Sequence, residues 1–508
     1  MRFLAPLALA AALLGGCATN SYNVTEVTRL APPIDGAFGD EDLGPLVSQI
    51  HARFEDPAFA HAHWGALIQS LDTGRVWYAR NENRLFMPAS NNKILTASAA
   101  LQALGPDFRF ETALCHTGRI EGSTIAGNLV VFGNGDPTLY ERFFDDSRDV
   151  FREWAGELRE RGITRIAGDV IGDDNAWDDD IVDDDWALSN LSNWPAAEYC
   201  PLQINENYVD FRIIPPETVS GEVVIEANLP SHYYTVVNNL TVTEHGRSRV
   251  NISRAVGSNV IVFDGSVVAG ASPFERSPTI TNPTLFYVTV LQEVLEEEGI
   301  AIGGDPVDCD DIEGWDHEPW HFPRLATHLS PPLSEILTGL MKRSQNMYSE
   351  TMVRTMGWQR DGLGTFEGGR EVLQGVLEGF GIAPQSYQYS DGSGLSRYNL
   401  ISPRLVVEIL RGMRQSPHWG VWYDALPIAG VDGTLRSRMR GTAAEGNVRA
   451  KTGTISNVRG LSGYVTTADG ENLVFSFLVN GHMLSTAATN SITDDVCAAL
   501  ASFDRGQD

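Results

Sequence analysis

Lysine is nearly absent from this chain of 508 residues. Of its 37 basic residues only three are lysines, Lys93, Lys342 and Lys451, and the others are arginines. A buried amine can lose its proton near neutral pH, whereas a guanidinium group stays protonated. The three lysines are therefore the first candidates for residues that take part in proton transfer.

Positive charge as a whole is scarce. The 37 basic residues face 66 acidic ones, which gives a formal net charge of −29 at pH 7. Affinity for phosphate backbones depends on lysine and arginine, so this balance argues against nucleic acid as the main partner. The content of 43% hydrophobic and 20% charged residues is typical of globular proteins, and the length predicts more than one domain.

Long hydrophobic runs are limited to the N-terminus. The run at 3–14 follows a positive residue and is too short to span a bilayer, which is typical of an export signal. The Leu-Gly-Gly-Cys sequence that ends at Cys17 resembles the bacterial lipobox. We therefore expect a lipoprotein signal peptide at 1–16 and a tether at 17–45. The expected location is the periplasm, where a lipid on Cys17 anchors the protein to the outer membrane. An ordinary export signal with an incidental Cys17 is the alternative.

Cysteine is also rare. After Cys17 only four cysteines remain, and none of them belongs to a Cys-x-x-Cys pair, which argues against a zinc ribbon or a thiol redox motif. An exported protein can form disulfides, but the sequence does not choose among the pairings. One bridge between Cys200 and Cys309, or four free thiols, fits equally well. The four cysteines are Cys115, Cys200, Cys309 and Cys497.

Hydrophobic periodicity and turn residues divide the chain into segments with different predicted secondary structure. A helix is predicted to begin near Ser90 and to end at Gly105, so that Ser90 and Lys93 lie one helical turn apart on the same face. Residues 106–324 instead contain short β-like runs separated by turns, which predicts a β-rich inserted region. The apolar run at 473–479 predicts a strand that is buried on both faces.

Three short motifs occur in the order of a known catalytic set. They are Ser90-Asn91-Asn92-Lys93, Ser344-Gln345-Asn346 and Lys451-Thr452-Gly453-Thr454. Together they match the Ser-x-x-Lys, Ser-Asp-Asn and Lys-Thr-Gly motifs of the serine enzymes that interact with penicillin, except that Gln345 replaces the usual aspartate. Because two of the three lysines fall in these motifs, we predict a serine-dependent acyl-transfer site. No histidine lies in the motifs, which argues against a Ser-His-Asp triad.

The first two motifs contain the predicted proton-transfer groups. Ser90 is the predicted nucleophile, and Lys93 is the base that takes its proton, provided that burial and a nearby cation lower the pKa of the amine. Lys451 is the predicted source of that cation. We expect Ser344 to pass a proton to the leaving amine, and Asn346 to bind the peptide group of the substrate.

The third motif is the predicted binding site for the end of the substrate. Lys451, Thr452 and Thr454 are suited to bind a carboxylate, and Gly453 belongs to the same substrate-binding segment. The backbone N–H groups of Ser90 and Thr454 are the predicted oxyanion hole, which stabilises the negative charge of the tetrahedral intermediate. These roles require no metal and no cofactor, and we expect neither.

Beyond the motifs, the chain resembles the D-alanyl-D-alanine carboxypeptidase/endopeptidases known as class C low-molecular-mass penicillin-binding proteins. The resemblance rests on four segments, 133–139, 341–347, 391–396 and 426–434. It also rests on the long interval between the first two motifs, where members of this family insert extra domains. The resemblance implies an α/β (α+β) fold. The expected catalytic domain, at 46–105 and 325–508, is a β-lactamase-like transpeptidase domain with an antiparallel sheet flanked by helices. The expected inserted domains, at 106–324, are rich in β-strands.

The resemblance also implies a function. The expected activity is hydrolysis of D-Ala-D-Ala bonds and cross-links in peptidoglycan peptides through an acyl-Ser90 intermediate, with β-lactams as inhibitors. A β-lactamase or esterase is the alternative with the same chemistry, and a non-catalytic wall-binding lipoprotein is the alternative of another class. We expect the inserted region to contribute substrate choice rather than bond breaking, with Asp173 and Asp174 as contacts to a substrate amine. The acidic runs 178–180 and 183–185 are interpreted as a solvated loop.

Overall fold

The computed structural model describes residues 43–315 and 321–506, so the predicted signal peptide and the lipidation site at Cys17 lie outside the described residues. The described helices are α1 (Gly44–Phe54), α2 (Lys93–Leu104), α3 (Asp149–Glu160), α4 (Pro283–Glu297), α5 (Leu333–Arg343), α6 (Asn346–Asp361), α7 (Phe366–Gly379), α8 (Pro403–Gln415), α9 (Trp419–Ala425) and α10 (Thr486–Ser502). None of these helices combines the length and the apolar character needed to cross a membrane.

The strands form five sheets within the described residues. The strands are β1 (His63–Ser70), β2 (Val76–Arg80), β3 (Glu111–His116), β4 (Arg119–Glu121), β5 (Thr124–Ala126), β6 (Leu129–Gly133), β7 (Arg165–Ile166), β8 (Val170–Asp173), β9 (Phe211–Ile214), β10 (Val224–Ala227), β11 (Thr235–Thr243), β12 (Arg249–Ser253), β13 (Val260–Val268), β14 (Phe274–Arg276), β15 (Ala301–Ile302), β16 (Pro306–Asp308), β17 (Arg324–Leu329), β18 (Arg449–Ile455), β19 (Val458–Thr466) and β20 (Asn472–Asn480).

One five-stranded antiparallel sheet carries the third motif. Its strand order is β18-β19-β20-β1-β2, so strands from both ends of the chain are hydrogen-bonded neighbours. The run 473–479 on β20 is buried along its whole length. Because side chains alternate along a strand, Phe475 and Phe477 pack in the core shared with α1 and α10, whereas Val474 and Leu478 pack in the core shared with α2 and α8.

The helix that follows Ser90 is embedded in the core. Ser90 lies in a short 3₁₀ turn, and α2 begins directly afterwards at Lys93. Every residue of α2 from Lys93 to Leu101 is buried. The helix ends at Leu104, because the next residue, Gly105, has a φ of 83°, which is incompatible with an α-helix. The structure therefore has the expected helix, with a tighter first turn than the sequence predicts.

The inserted region has a separate hydrophobic core. Its largest sheet has the order β16-β8-β6-β3-β17, and three smaller sheets, β15-β7-β5-β4, β10-β9-β14 and β11-β13-β12, surround it. β17 pairs with β3, so this region continues to Leu329 and not only to the expected boundary at 324. The region also contains α3 and the 15-residue helix α4, which the β-like texture did not predict.

The four described cysteines are buried and free. Cys200 and Cys309 are not bridged, so of the two possibilities left open by the sequence the structure has four free thiols. Burial raises the pKa of the Cys115 thiol to about 11, which keeps it protonated and unreactive at neutral pH.

Candidate active site

The Ser90 hydroxyl and the Lys93 amine lie next to each other on the turn at 89–93, which contains the predicted nucleophile and is called the nucleophile turn below. Nζ of Lys93 is 3.2 Å from Oγ of Ser90. Lys93 is fully buried, whereas Ser90 is only partly buried and lines a cleft. A hydroxyl that a substrate can reach is thus paired with an amine that is shielded from water.

Two further contacts hold the Lys93 amine. Nζ donates hydrogen bonds of 2.7 Å to Oδ1 of Asn346 and of 2.7 Å to the backbone carbonyl oxygen of Ser393. Burial lowers the pKa of Lys93, while the carboxyl groups of Asp391 and Glu350 act in the opposite direction. Burial prevails, so this amine loses its proton more readily than an exposed lysine does.

Lys451 lies beside the second motif. Its Nζ donates hydrogen bonds of 2.7 Å to Oγ of Ser344 and of 2.9 Å to the carbonyl oxygen of Thr452. Burial lowers the pKa of Lys451, and repulsion from the charge of Lys93 lowers it further. The sequence predicted that burial and the Lys451 cation together lower the pKa of Lys93. Burial is the main cause of that shift, and the repulsion between the two amines is seen in the lowered pKa of Lys451.

Two glycines let backbone segments approach the nucleophile turn. Gly394 has a φ of 83°, and a Cβ there would lie 1.9 Å from the carbonyl oxygen of Ala89. A Cβ at Gly453 would lie 2.5 Å from the carbonyl oxygen of Pro88. Gly453 is therefore required for β18 to pack against the turn, and it does not itself line the cleft.

The motifs meet at one cleft with a volume of about 400 Å³. The motif residues that line it are Ser90, Ser344, Asn346, Thr452 and Thr454. The inserted region contributes Trp194 and Pro195 to the same lining. The carbonyl oxygen of Pro195 accepts a hydrogen bond of 2.6 Å from Nδ2 of Asn346. The structure thus brings the three motifs together and adds a side of the cleft that the motifs did not predict.

Glu350 is a candidate functional residue that the motifs do not identify. It lies one helical turn after Asn346 on α6, and its carboxylate accepts hydrogen bonds of 2.8 Å from the N–H groups of Gly392 and Ser393. The carbonyl of the same Ser393 accepts the bond from Lys93. Burial raises the pKa of Glu350. Its i, i+4 spacing from Asn346 is the only signal in the sequence that could have identified it.

Asp391 fixes the loop that presents Ser393. Its carboxylate accepts hydrogen bonds of 2.6 Å from the N–H groups of Gly394 and Ser396. It also accepts a bond of 3.0 Å from the indole N–H of Trp186, which belongs to the inserted region. The segment 391–396 therefore has a structural role, because it places the Ser393 carbonyl that binds the Lys93 amine.

The chain matches known proteins over nearly its whole length. A model of the D-Ala-D-Ala carboxypeptidase 3 (S13) family matches residues 46–503. The chain is 34% identical to a D-alanyl-D-alanine carboxypeptidase of Actinomadura sp. (strain R39), over 93% of this chain and 87% of that protein. It is 28% identical to D-alanyl-D-alanine carboxypeptidase DacB of Haemophilus influenzae, over 90% of this chain and 95% of the relative. The chain belongs to the D-Ala-D-Ala carboxypeptidase 3 family.

The solved structures agree with this membership. The crystal structure of penicillin binding protein 4 from Haemophilus influenzae is similar to this one with a TM-score of 0.76 and 25% identity, and the match covers 90% of this chain and 99% of that one. The predicted family and the predicted fold class are therefore confirmed. The chain is a serine-type D-Ala-D-Ala carboxypeptidase.

Gln345, which replaces the aspartate usual in this motif, is explained by a neighbour from the inserted region. Its Nε2 donates a hydrogen bond to the carboxylate of Glu206, and both side chains are buried. Glu206 also accepts a hydrogen bond of 2.5 Å from the Tyr208 hydroxyl and forms an ion pair with Arg142. An aspartate at position 345 would place a second carboxylate against Glu206, where water screens the repulsion poorly.

The segment that carries Glu206 has an unusual backbone. Asn205, Glu206 and Asn207 have φ values of 52°, 54° and 55°. The left-handed conformation costs about 1–2 kcal/mol for most residues other than glycine, and asparagine tolerates it better, so the cost falls mainly on Glu206. Such a conformation persists only where surrounding contacts hold it. Here the contacts include the hydrogen bond to the second catalytic motif, so the inserted region and the motif constrain each other.

Asp173 and Asp174 do not line the catalytic cleft, and the expected contact with a substrate amine is therefore wrong. Asp173 is buried and accepts a hydrogen bond of 2.8 Å from the indole of Trp315. Asp174 belongs to a group whose possible metal-binding atoms lie within 4.8 Å of one another, namely Asp174, Asp308, Cys309 and Asp310. Burial and repulsion from Asp308 raise the pKa of Asp174 to about 7, so protonation relieves part of the repulsion in this group.

The acidic runs are exposed at four of their six aspartates, as a solvated loop should be, but part of the loop also packs against the neighbouring segments. Asp178 forms an ion pair of 3.0 Å with Arg354 on α6. Asp185 accepts a hydrogen bond of 3.3 Å from the hydroxyl of Ser396. Burial raises the pKa of Asp183 to about 7. The loop that carries these residues therefore covers part of α6 and of the segment 391–396.

The contact between Gln345 and Glu206 predicts the effect of Gln345→Glu. The introduced carboxylate loses the hydrogen bond and faces Glu206 in a buried site, so we expect the free energy of unfolding at pH 7 to fall by about 2–3 kcal/mol. The deficit should shrink as the pH falls, because one carboxyl of the pair then takes up a proton. Thermal unfolding between pH 5 and pH 8 measures both effects, and Gln385→Glu at an exposed site is the control. A pH-independent deficit, or none, contradicts the assignment.

Proposed function

We propose that Ser90 is the nucleophile and Lys93 the general base for hydrolysis of peptides that end in D-Ala-D-Ala. The observation that carries this proposal is the 3.2 Å contact between the buried Lys93 amine and Oγ of Ser90. The neutral amine takes the hydroxyl proton as Oγ attacks the carbonyl carbon of the penultimate D-alanine. The peptide bond then breaks, the acyl group remains on Ser90 as an ester, and water hydrolyses the ester to restore the enzyme.

The second motif serves the leaving amine. In this mechanism the proton taken by Lys93 reaches the leaving nitrogen through the Ser344 hydroxyl, which Lys451 orients by its 2.7 Å hydrogen bond. Asn346 holds Lys93 through Oδ1 and uses one N–H on Pro195, so its second N–H remains for the peptide group of the substrate. The N–H groups of Ser90 and Thr454 stabilise the oxyanion.

The substrate carboxylate has a second role at the third motif. When this carboxylate is bound to Lys451, Thr452 and Thr454, it places a negative counter-charge next to the buried Lys451 amine. This charge offsets the burial that lowers the pKa of Lys451 and so favours its protonated form. A charged Lys451 in turn disfavours a charge on Lys93. Binding of a peptide with a free carboxylate therefore helps to keep the base neutral.

We extend the proposal to endopeptidase cleavage of peptidoglycan cross-links. The catalytic cleft is not closed beyond Thr452, because the neighbouring Thr434 lines both this cleft and an adjacent one. The catalytic cleft therefore has room for a leaving group larger than a single D-alanine.

We also propose that β-lactams acylate Ser90, because the strained lactam amide presents a carbonyl in place of the D-Ala-D-Ala bond. A similar protein, penicillin binding protein 4 of Haemophilus influenzae, has a structure complexed with a β-lactam, at 25% identity to this chain. We expect penicillin to add one equivalent of mass to the wild type and none to Ser90→Ala. Intact-mass measurement followed by peptide mapping tests this expectation. An adduct on a peptide without Ser90 contradicts it, and rapid loss of the adduct indicates the β-lactamase alternative.

The role of Lys93 as base predicts that Lys93→Arg slows acylation by at least about 100-fold, because guanidinium keeps its proton. Stopped-flow acylation by a chromogenic β-lactam measures the rate. Lys342→Arg is the matched control, since its ion pair with Asp432 needs only a positive charge. Near-normal acylation of Lys93→Arg would place the base elsewhere.

The rate at which a β-lactam acylates Ser90 should fall as the pH is lowered. Lys93 acts only when neutral, so the wild-type rate falls as the pH drops below the pKa of Lys93 and the amine takes up a proton. Because burial lowers that pKa, the rate should reach its plateau well below the ordinary lysine value of about 10.4. A rate that keeps rising up to pH 10 contradicts the lowered pKa.

We further propose that the protein is a lipoprotein exported to the periplasm and anchored by a lipid on Cys17, which lies outside the described residues. The lipobox-like sequence supports this proposal, and the wall peptides that the enzyme cleaves lie in the same compartment. We expect labelled fatty acid to appear in the wild type but not in Cys17→Ser, and the wild type to sediment with membranes. A mature protein without lipid, cleaved at another position, contradicts the anchor.

A further inference from the structure

A second cleft adjoins the catalytic cleft. It has a volume of about 880 Å³ and lies between α5, the turn that follows Asp432, and the segment 141–143 of the inserted region. Arg343 and Thr434 line both clefts. A ligand that extends out of the catalytic cleft on this side therefore enters the second one.

The second cleft contains two arginines that are not ion-paired within the described part of the chain. Four cationic side chains line it, but Arg142 is paired with Glu206, and Lys342 with Asp432. The other two, Arg343 and Arg436, are exposed and form no ion pair with any residue that the structure describes. Both guanidinium groups are therefore accessible to an anionic ligand that enters this cleft.

Charged residues of this cleft lie at both ends of α5, and Glu141 lines it from the inserted region. Arg343 is the last residue of α5 and directly precedes Ser344, whereas Glu335 lies eight residues earlier, which is about 12 Å along a helix. Both side chains line the cleft. The end that adjoins the catalytic cleft is therefore cationic, and the acidic group of α5 lies at the far end.

The direction of the substrate places its leaving group at the cationic end. In the proposed function the carboxylate next to the scissile nitrogen binds Lys451 and Thr452. Oγ1 of Thr452 is 2.8 Å from Oγ1 of Thr434, the residue at which the two clefts join. Atoms of the leaving group beyond that carboxylate therefore pass Thr434 and reach Arg343 and Arg436.

We propose that the second cleft binds the leaving peptide of a cross-linked substrate, and that Arg343 and Arg436 contact carboxylates of that peptide. This inference rests on the proposed function and adds a binding site for the leaving peptide of the cross-linked substrate. When the C-terminal D-alanine leaves, only one small amino acid is released and the second cleft stays unused. When a cross-link is cleaved, the acyl group passes to Ser90, the leaving nitrogen receives the proton, and a whole peptide departs through the second cleft.

The test compares two cross-linked peptide dimers. Both keep the carboxylate next to the scissile nitrogen, and in one of them the other carboxylates of the leaving peptide are converted to amides. We expect the wild type to cleave the charged dimer with a kcat/KM about tenfold higher than the amidated dimer. The variant R343Q/R436Q should lose this preference. Arg119→Gln, at an exposed site on β4, is the matched control and should keep the preference.

The outcomes separate this inference from the proposed function. Failure of the wild type to form a penicillin adduct or to release D-alanine from a pentapeptide overturns both. Normal activity on both dimers with equal kcat/KM for charged and amidated leaving peptides overturns the second-cleft site alone. A preference for the charged dimer that survives in R343Q/R436Q also overturns the second-cleft site alone. A tenfold preference that the double variant abolishes supports the site, and high salt should then reduce the preference of the wild type.

Discussion

Burial of a single amine is the constraint on which the rest of this site depends. An ammonium group is costly to remove from water unless it is paired or loses its proton. Lys93 is fully buried, and its hydrogen-bond acceptors come from the nucleophile turn, from Asn346 on α6 and from the carbonyl of Ser393. The amine is therefore satisfied only when three distant parts of the chain are assembled. The same burial that makes this assembly necessary also gives the amine the lowered pKa that a base requires.

The inserted region takes part in this assembly and is not only a source of substrate choice, as the sequence analysis expected. Pro195 accepts the hydrogen bond of Asn346, Glu206 binds Gln345, and Trp186 binds the carboxylate of Asp391. The residues that these contacts reach lie in the second motif or in the loop whose Ser393 carbonyl binds Lys93. A change in the inserted region can thus alter bond breaking by moving the second motif. The segment 205–207, with its left-handed backbone, carries the Glu206 side of one of these contacts.

The sequence predicted the parts of the site that depend on short spacing. Ser90 and Lys93 are one turn apart, so a helix alone brings them together, and the central strand β20 was evident from its apolar run. It did not predict α4, because the β-branched and aromatic residues of that helix have the composition of a strand. Nor did it predict Glu350, because that role depends on a loop about 40 residues away, and no local pattern records such a contact. Long-range contacts are what the motifs leave undetermined.

The unequal use of lysine and arginine has a physical explanation at this site. Two of the three lysines, Lys93 and Lys451, are buried beside the serines of the first two motifs, and the proposed mechanism needs their charge to change. The unpaired cations of the adjoining cleft are arginines, whose charge does not depend on pH. The two clefts should therefore respond differently to acid. Protonation of Lys93 stops bond breaking, whereas the guanidinium groups of Arg343 and Arg436 stay charged. In this arrangement pH controls the chemical step through lysine, while selection of the leaving group through arginine stays constant.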